Sequence, residues 1–272
     1  MIIAIVGTHR DKVLRHFAQY LMGKELNCVM INQLEIGKTV SLDSDGVRIG
    51  HHQFRWTDFH AIYSRIHGVC KDMSLDVYSD LGFLHYFLDT APIKIINRPR
   101  FSLSNDAKWF QLDCLKLNKI QKPTSMMVAN EFHSCDSSWV YKSASSVRSI
   151  VKKVEKKGEY VTEPVLFQKN LSGFNVRVHV VGDDIHAMKI HSKKIDYRYC
   201  SEMSMSEFDL PQDIEEECYQ IAKQLSLIFC GIDLIKNHLG WFLLEVNPQP
   251  GYAFFEDASC SISESLYKAL KV

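Results

Sequence analysis

Apolar and polar positions along the chain change period repeatedly, and each change predicts an element. Met1–Val6 is a continuous apolar run, the pattern of a buried strand. After Gly7-Thr8-His9, the residues Val13, Leu14, Phe17, Ala18 and Leu21 recur at helical spacing and predict an amphipathic helix over Asp11–Met22. Asn27–Asn32 is the next strand, Asp43–Phe54 reads as a hairpin turning at Asp45-Gly46, and Ala61–Ile66 is a short strand carrying Arg65 near its end. A helix over Leu75–Leu88 and a strand over Ile93–Ile96 follow. Asn97-Arg98-Pro99 then marks a boundary, because proline disfavours helix before it and removes a ladder donor.

Downstream, Ser104-Asn105-Asp106 can cap a helix over Ala107–Leu117 with Lys108, Trp109 and Gln111 in its early turns. Ser125–Ala129 is extended, Asn130–Cys135 is loop or helix start, and Ser138–Lys142 is a strand ending in lysine. The basic run Lys152–Lys157 reads as a solvated helix face. Val165–Gln168 is an apolar strand leading into Lys169-Asn170-Leu171. Phe174–Val181 alternates cleanly, with Phe174, Val176, Val178 and Val180 on one face and Asn175, Arg177 and His179 on the other. Gly182-Asp183-Asp184 turns it into Ile185–His191. Pro211 opens a helix whose stripe is Ile214, Cys218, Ile221 and Leu225. Its acids Glu215, Glu216 and Glu217 fall in the early turns, where the helix dipole favours them.

The richest stretch is the last hairpin, Phe229–Ile235 and Trp241–Asn247 around Asn237-His238-Leu239-Gly240. Glu245 and Asn247 are two apart on a strand and share a face. A plain four-residue loop would pair Asp233 with Leu244, so a three- or five-residue loop, or a bulge, is expected to bring Asp233 onto the Glu245 face. Both runs are otherwise nearly continuous apolar sequence, and burying two carboxylates there without cations is costly. A positive charge is therefore expected beside them. Two carboxylates and an amide oxygen form a hard-oxygen set that suits Mg²⁺, which completes its shell with nucleotide phosphates and water.

Composition narrows the classes. At 272 residues the chain can hold one large domain or two to three small ones. A formal net charge of zero argues against a nucleic-acid partner held by phosphate contacts. No apolar stretch approaches membrane-spanning length, and the apolar start lacks a basic lead and a cleavage site, so the expectation is a soluble, unprocessed cytoplasmic protein with no membrane partner. The eight cysteines are scattered without Cys-x-x-Cys, which predicts free thiols. The β-α-β opening has neither Gly-x-Gly-x-x-Gly nor a P-loop and reads as a structural Rossmann-like unit. His179, His186 and His191 fall on different faces, against a zinc cluster.

GIDLIKNHLGWFLLEVNPQPG resembles the C-terminal metal-binding segment of ATP-grasp enzymes. VYKSAS is similar to their strand-end lysine segment, VLFQKNLSGFNVRVHVVGDDIHAMKI to their hinge and hairpin, and Asp196-Tyr197-Arg198 to an arginine-bearing loop that follows. Within that superfamily the run from Phe167 to Ser192, Asp196-Tyr197-Arg198 and NPQPGYAFFED resemble the RimK-like peptide-modifying ligases, particularly the maturases of graspetides, ribosomally made peptides of the microviridin type. Two departures stand out: Ser143–Ser146 replaces a glycine-rich cover after Lys142, and Asn175 replaces a common acid before the arginine.

The resemblance implies a mixed α/β and α+β ATP-grasp fold behind a Rossmann-like domain, with nucleotide held between two subdomains. Its divisions fall at 1–97, 98–165 and 166–272. It implies ATP and Mg²⁺: Lys142 on the α/β-phosphates, Phe167, Gln168, Lys169, Asn170 and Leu171 as the adenine hinge with Asn175 beside it, and Asp233, Glu245 and Asn247 on the metal. Arg177 and Arg198 are the implied catalytic residues, Arg177 on the γ-phosphate and Arg198 as a clamp for a substrate carboxylate. The implied partner is a precursor peptide with a leader and an acidic core, and a homodimer is compatible with it. The implied reaction joins a carboxylate to an amine or alcohol through an acyl phosphate. Two alternatives stay open: a ligase adding an amino acid to a carboxylate, and a non-catalytic ATP-binding peptide adaptor. Taken alone, Lys142 or Arg177 would more often be an ordinary surface residue.

Overall fold

The computed structural model describes residues 2–66, 75–102, 107–128, 132–133, 136–144, 151–154, 159–160, 164–192 and 203–271. The chain divides into two compact units. One comprises residues 1–102, 181–183 and 251–272, the other 103–180 and 184–250. The sequence divisions at 97 and 165 stand as a proposal beside this partition, which has no division at 165 and assigns residues 98–102, 181–183 and 251–272 to the first unit.

The first unit opens with β1 (Ile2–Gly7), α1 (Lys12–Gly23) and β2 (Asn27–Asn32), then β3 (Val40–Leu42), β4 (Gly46–Ile49), β5 (His52–Arg55) and β6 (Phe59–Arg65). Next come α2 (Leu75–Thr90), β7 (Lys94–Ile96) and α3 (Pro99–Ser102). β2, β1, β6 and β7 form a parallel sheet in that order. Ile3, Ala4, Ile5 and Val6 are all buried, as a strand in a parallel sheet covered on both faces requires. Asp11 caps α1, its Oδ1 accepting from Val13 N at 2.8 Å, while its Oδ2 accepts from Arg65 Nε at 2.9 Å. The Arg98 guanidinium donates to the carbonyls of Leu88, Ala91 and Ile93, satisfying acceptors at and just beyond the end of α2. The Asp43–Phe54 expectation is corrected. Asp43–Gly46 turns β3 into β4, and a second turn at Gly50, with φ +59°, leads into β5, so three antiparallel strands stand where one hairpin was predicted.

The second unit holds α4 (Lys108–Cys114), β8 (Ile120–Gln121), β9 (Ser125–Val128), β10 (Phe132–His133), β11 (Trp139–Ser143), β12 (Val151–Lys153), β13 (Glu159–Tyr160) and β14 (Val165–Lys169). Its long strands follow: β15 (Phe174–Val181), β16 (Asp184–His191) and β17 (Ser204–Glu207), then α5 (Gln212–Gln224), β18 (Phe229–Asn237) and β19 (Gly240–Asn247). They build a four-stranded sheet, β12-β11-β14-β9, and a six-stranded one, β17-β16-β15-β18-β19-β8.

Several expectations change here. The described part of the basic run is the edge strand β12, not a helix, because it pairs with β11. Part of Asn130–Cys135 is the short strand β10, paired with β13. α4 is shorter than Ala107–Leu117, and its expected Ser104–Asp106 cap lies outside the described residues. Glu217 is not a dipole-facing surface acid: it is buried, and its carboxylate accepts from three consecutive backbone N–H groups, those of Asn118, Lys119 and Ile120. That cradle fixes the start of β8 against α5. The chain ends in α6 (Ser261–Lys271), an element the pattern reading does not assign, which buries Ile262, Leu266 and Leu270 against β6 and β7 of the first unit.

Candidate functional site

The register of the last hairpin decides where its acids point. Asn237 pairs with Gly240 and Leu234 with Leu243, but Asp233 pairs with Glu245, so one extra residue, Leu244, sits in β19. This is the bulge the spacing called for, with a two-residue loop rather than three or five. Asp233 and Glu245 lie directly opposite each other, and Asn247 faces the same way, its Nδ2 donating to Asp233 Oδ2 at 3.2 Å. A bulge turns backbone out of the ladder, and the Leu244 carbonyl accepts from Lys142 Nζ at 3.4 Å.

Cations meet both acids. Arg177 Nη1 donates to Asp233 Oδ2 at 2.8 Å, and Lys108 Nζ lies 3.1 Å from Glu245 Oε1. The two carboxylate side chains are only 19% and 14% exposed, so they turn into the protein and not into bulk water. Lys142, at the end of β11, is itself buried, and it lies on the face opposite Trp139 and Tyr141, which pack against the core of Val154, Val165 and Phe167. Alternation along β11 thus sends its lysine to the hairpin and its aromatics to the core.

Arg177 is held with unusual closeness. A Cβ built on Gly231 would overlap its guanidinium, so β18 has glycine where the arginine crosses it. Arg177 Nε also donates to Nε2 of His179, which is fully buried and two residues along the same face of β15. Cys230, next to Gly231, is buried too, and burial pushes its thiol up to about 12 despite the opposing pull of Arg177. At neutral pH it stays a protonated, unreactive thiol.

Lys108 is the cation at this hairpin that motif reasoning did not assign to the site. On α4 the residues Lys108, Gln111 and Leu112 are the buried ones, a helical stripe with two polar members. Gln111 Oε1 accepts from Val246 N at 3.4 Å, so both polar residues of that stripe engage β19. A polar residue recurring on the buried face of a helix is the signal that marks them.

Of the residues expected to form the hinge, Phe167, Gln168 and Lys169 lie on β14 in the other sheet, and Asn170 and Leu171 follow that strand. Phe167 points into the core of that sheet against Tyr141, while Gln168 is buried and donates to Ser125 Oγ at 3.3 Å. Lys169 is exposed, with Nζ donating to Ser138 Oγ at 2.6 Å and lying over the Trp139 ring. Its backbone N donates to Thr124 O, and Asn170 N donates to Ser138 O, each at 2.8 Å. Leu171 and Asn175 are half-buried, and Asn175 shares the β15 face of Arg177. Arg198 lies outside the described residues.

Lys108, Lys142 and Arg177 against Asp233 and Glu245 leave one net positive charge in a low-exposure setting, which favours an anion carrying its own cation. The donor chemistry fits a hard divalent metal. Two carboxylates and an amide, already gathered by Asn247 bonding Asp233, match the few protein ligands that Mg²⁺ takes beside phosphate oxygens. Which end of the Asn247 amide faces the site is a matter of rotamer, and a flip offers its oxygen.

Comparison with known proteins identifies the family and the fold. No curated protein matches the chain. Among solved structures, the ATP-grasp ligase PsnB complexed with a minimal precursor is similar at TM-score 0.79 and 22% identity, covering 98% of each chain. The macrocyclase MdnC from Microcystis aeruginosa MRC, bound with precursor peptide MdnA, is similar at TM-score 0.77 and 18% identity over 99% of each chain. The VanG D-Ala:D-Ser ligase from Enterococcus faecalis shares the fold at TM-score 0.68 and 15% identity, over 100% of this chain and 99% of that one. The family model described as ATP-grasp domain matches residues 105–251, which take in Lys108, Lys142, Arg177 and the whole acidic hairpin. More than half of the sequence is matched, and the chain belongs to the ATP-grasp family.

Proposed function

We propose that this protein is an ATP-dependent ligase that joins a side-chain carboxylate to a hydroxyl or amine within a ribosomally made precursor peptide. The observation that carries the reading is the convergence of Lys108, Lys142 and Arg177 on the bulged hairpin with Asp233, Glu245 and Asn247, inside the segment the ATP-grasp family model matches. The peptide substrate is supported by fold neighbours whose own structures contain precursor peptides.

Phosphoryl transfer asks the protein mainly for placement and charge. Lys108, Lys142 and Arg177 supply cations for the triphosphate, and Asp233, Glu245 and Asn247 would hold Mg²⁺, which supplies charge neutralisation across the phosphates. The γ-phosphoryl group passes from ATP to an Asp or Glu carboxylate oxygen of the peptide, releasing ADP. A Ser or Thr hydroxyl or a Lys amine then attacks the acyl carbon and loses its proton as inorganic phosphate leaves. Each bond made removes one water. Arg177 stabilises charge on the transferred and departing phosphate, and Arg198 is assigned to the peptide carboxylate. Phe167–Leu171, with Asn175, are assigned to the nucleotide base. No covalent enzyme nucleophile is needed.

The test is mass spectrometry of an acidic peptide containing Ser, Thr or Lys, encoded beside this gene, after incubation with Mg²⁺-ATP. A loss of one water per bond together with ADP release is expected. Gain of an amino-acid residue would identify an amino-acid ligase, and peptide binding without ATP turnover would identify a binding adaptor; either contradicts the proposal.

A further inference from the structure

We infer that His179 is a positioning residue whose neutral imidazole holds the Arg177 guanidinium in its working orientation. The inference deepens the proposed function, because it concerns the arginine assigned to the transferred phosphate.

The hydrogen bond fixes the chemistry of the imidazole. Arg177 Nε lies 3.3 Å from His179 Nε2, and a guanidinium has donors only. Nε2 must therefore carry the lone pair, which leaves the imidazole neutral with its proton on Nδ1. Here the tautomer follows from the partner. A protonated ring would set a second positive charge against the guanidinium with both groups almost fully buried.

Position explains why an acceptor is placed there. Arg177 is held at Nη1 by Asp233 Oδ2 and at Nε by His179, while Gly231 lets the guanidinium lie close against β18. Asp233 is also an assigned metal ligand. A metal sharing that carboxylate would weaken its hold on Nη1 while the arginine is in use. The Nε bond draws on no metal-binding group and is indifferent to that change. His179 and Arg177 are two apart on β15, so a rigid strand sets their spacing, and the Phe229 ring, 6.3 Å away centroid to centroid, packs the imidazole from β18.

Two substitutions separate positioning from packing. His179→Phe keeps a ring and removes the acceptor; His179→Gln loses the ring and keeps an acceptor near the place of Nε2. With Mg²⁺-ATP and precursor peptide, His179→Phe should lower kcat by about 10- to 100-fold, with KM for ATP changed by less than about threefold. His179→Gln should recover most of that loss. A purely structural role reverses the order, with Phe outperforming Gln, and that result or a wild-type kcat in His179→Phe would overturn the inference. A second measurement needs no turnover. In ¹⁵N-resolved NMR of the whole protein, the Arg177 Nε–H should be protected from exchange in wild type and His179→Gln and lose that protection in His179→Phe. Unchanged protection in His179→Phe overturns the inference even if wild type modifies no peptide, an outcome that would separately refute the proposed function.

Discussion

Two buried arginine–aspartate pairs of nearly equal geometry lie in the two units. In the first unit Arg65 Nε meets Asp11 Oδ2 at 2.9 Å, and in the second Arg177 Nη1 meets Asp233 Oδ2 at 2.8 Å. What surrounds them differs. Asp11 spends its other oxygen capping α1, and the pair ties a strand end to a helix start. Burial carries the neighbouring Tyr63 hydroxyl up to about 12, so it stays protonated there. Asp233 stands instead opposite a second acid, beside an amide, with Lys108 and Lys142 close by and a glycine opposite the arginine. The first pair joins structural elements; the second is set among further cations and hard-oxygen donors, the surroundings that the proposed charged ligand would need. Distance alone does not distinguish them.

The sharpest break of this comparison comes from the acids. Asp233→Asn and Glu245→Gln each keep an acceptor and the side-chain volume, so the fold should persist while peptide modification falls by about a thousandfold or more. Turnover assays beside thermal melts check this, and unchanged activity in both variants would remove the metal assignment. Asp11→Ala should do the opposite. It strands Arg65 and removes a helix cap, costing about 3–5 kcal/mol of stability on denaturant unfolding, with activity per folded molecule near that of wild type. Equal loss of activity would mean that the two pairs do the same work.

Smaller effects refine the picture. Gly231→Ala forces a methyl into the guanidinium and should lower kcat by about 10- to 100-fold, with stability down by about 1–3 kcal/mol. Lys108→Met should raise the KM for ATP by about tenfold and, because it leaves the low-exposure Glu245 without that cation, lower stability by about 1–3 kcal/mol on denaturant unfolding. The smallest response is at Cys230. With its thiol held up near 12 by burial, it should resist iodoacetamide at pH 8 in the folded protein and react only after unfolding, as peptide mapping would record.

The same contrast explains what could be read in advance. The hairpin acids were legible because the rule is local: residues two apart on a strand share a face, and counting from the turn asked for a three- or five-residue loop or a bulge, of which the structure has the bulge. Arg177 was legible for the same reason, from strict alternation on β15. Lys108 is far from Glu245 in sequence, and only packing of α4 on β19 reveals it, although its place on a buried stripe with Gln111 was a usable sign. Glu217 misled because the helix dipole accounts for an acid in that turn without any partner, and its three N–H donors come from a distant connection. The three-stranded β3-β4-β5 sheet was compressed into one hairpin because Asp45-Gly46 is the stronger of two adjacent turn signals.

The most direct test of the central claim is Mn²⁺ binding followed by electron paramagnetic resonance, with a non-hydrolysable ATP analogue present. Wild type should bind the ion together with the nucleotide, and the double variant Asp233→Asn/Glu245→Gln should leave it free in solution under the same conditions. Retention of the ion by the double variant at wild-type affinity would contradict the claim that this hairpin holds the metal of a nucleotide complex.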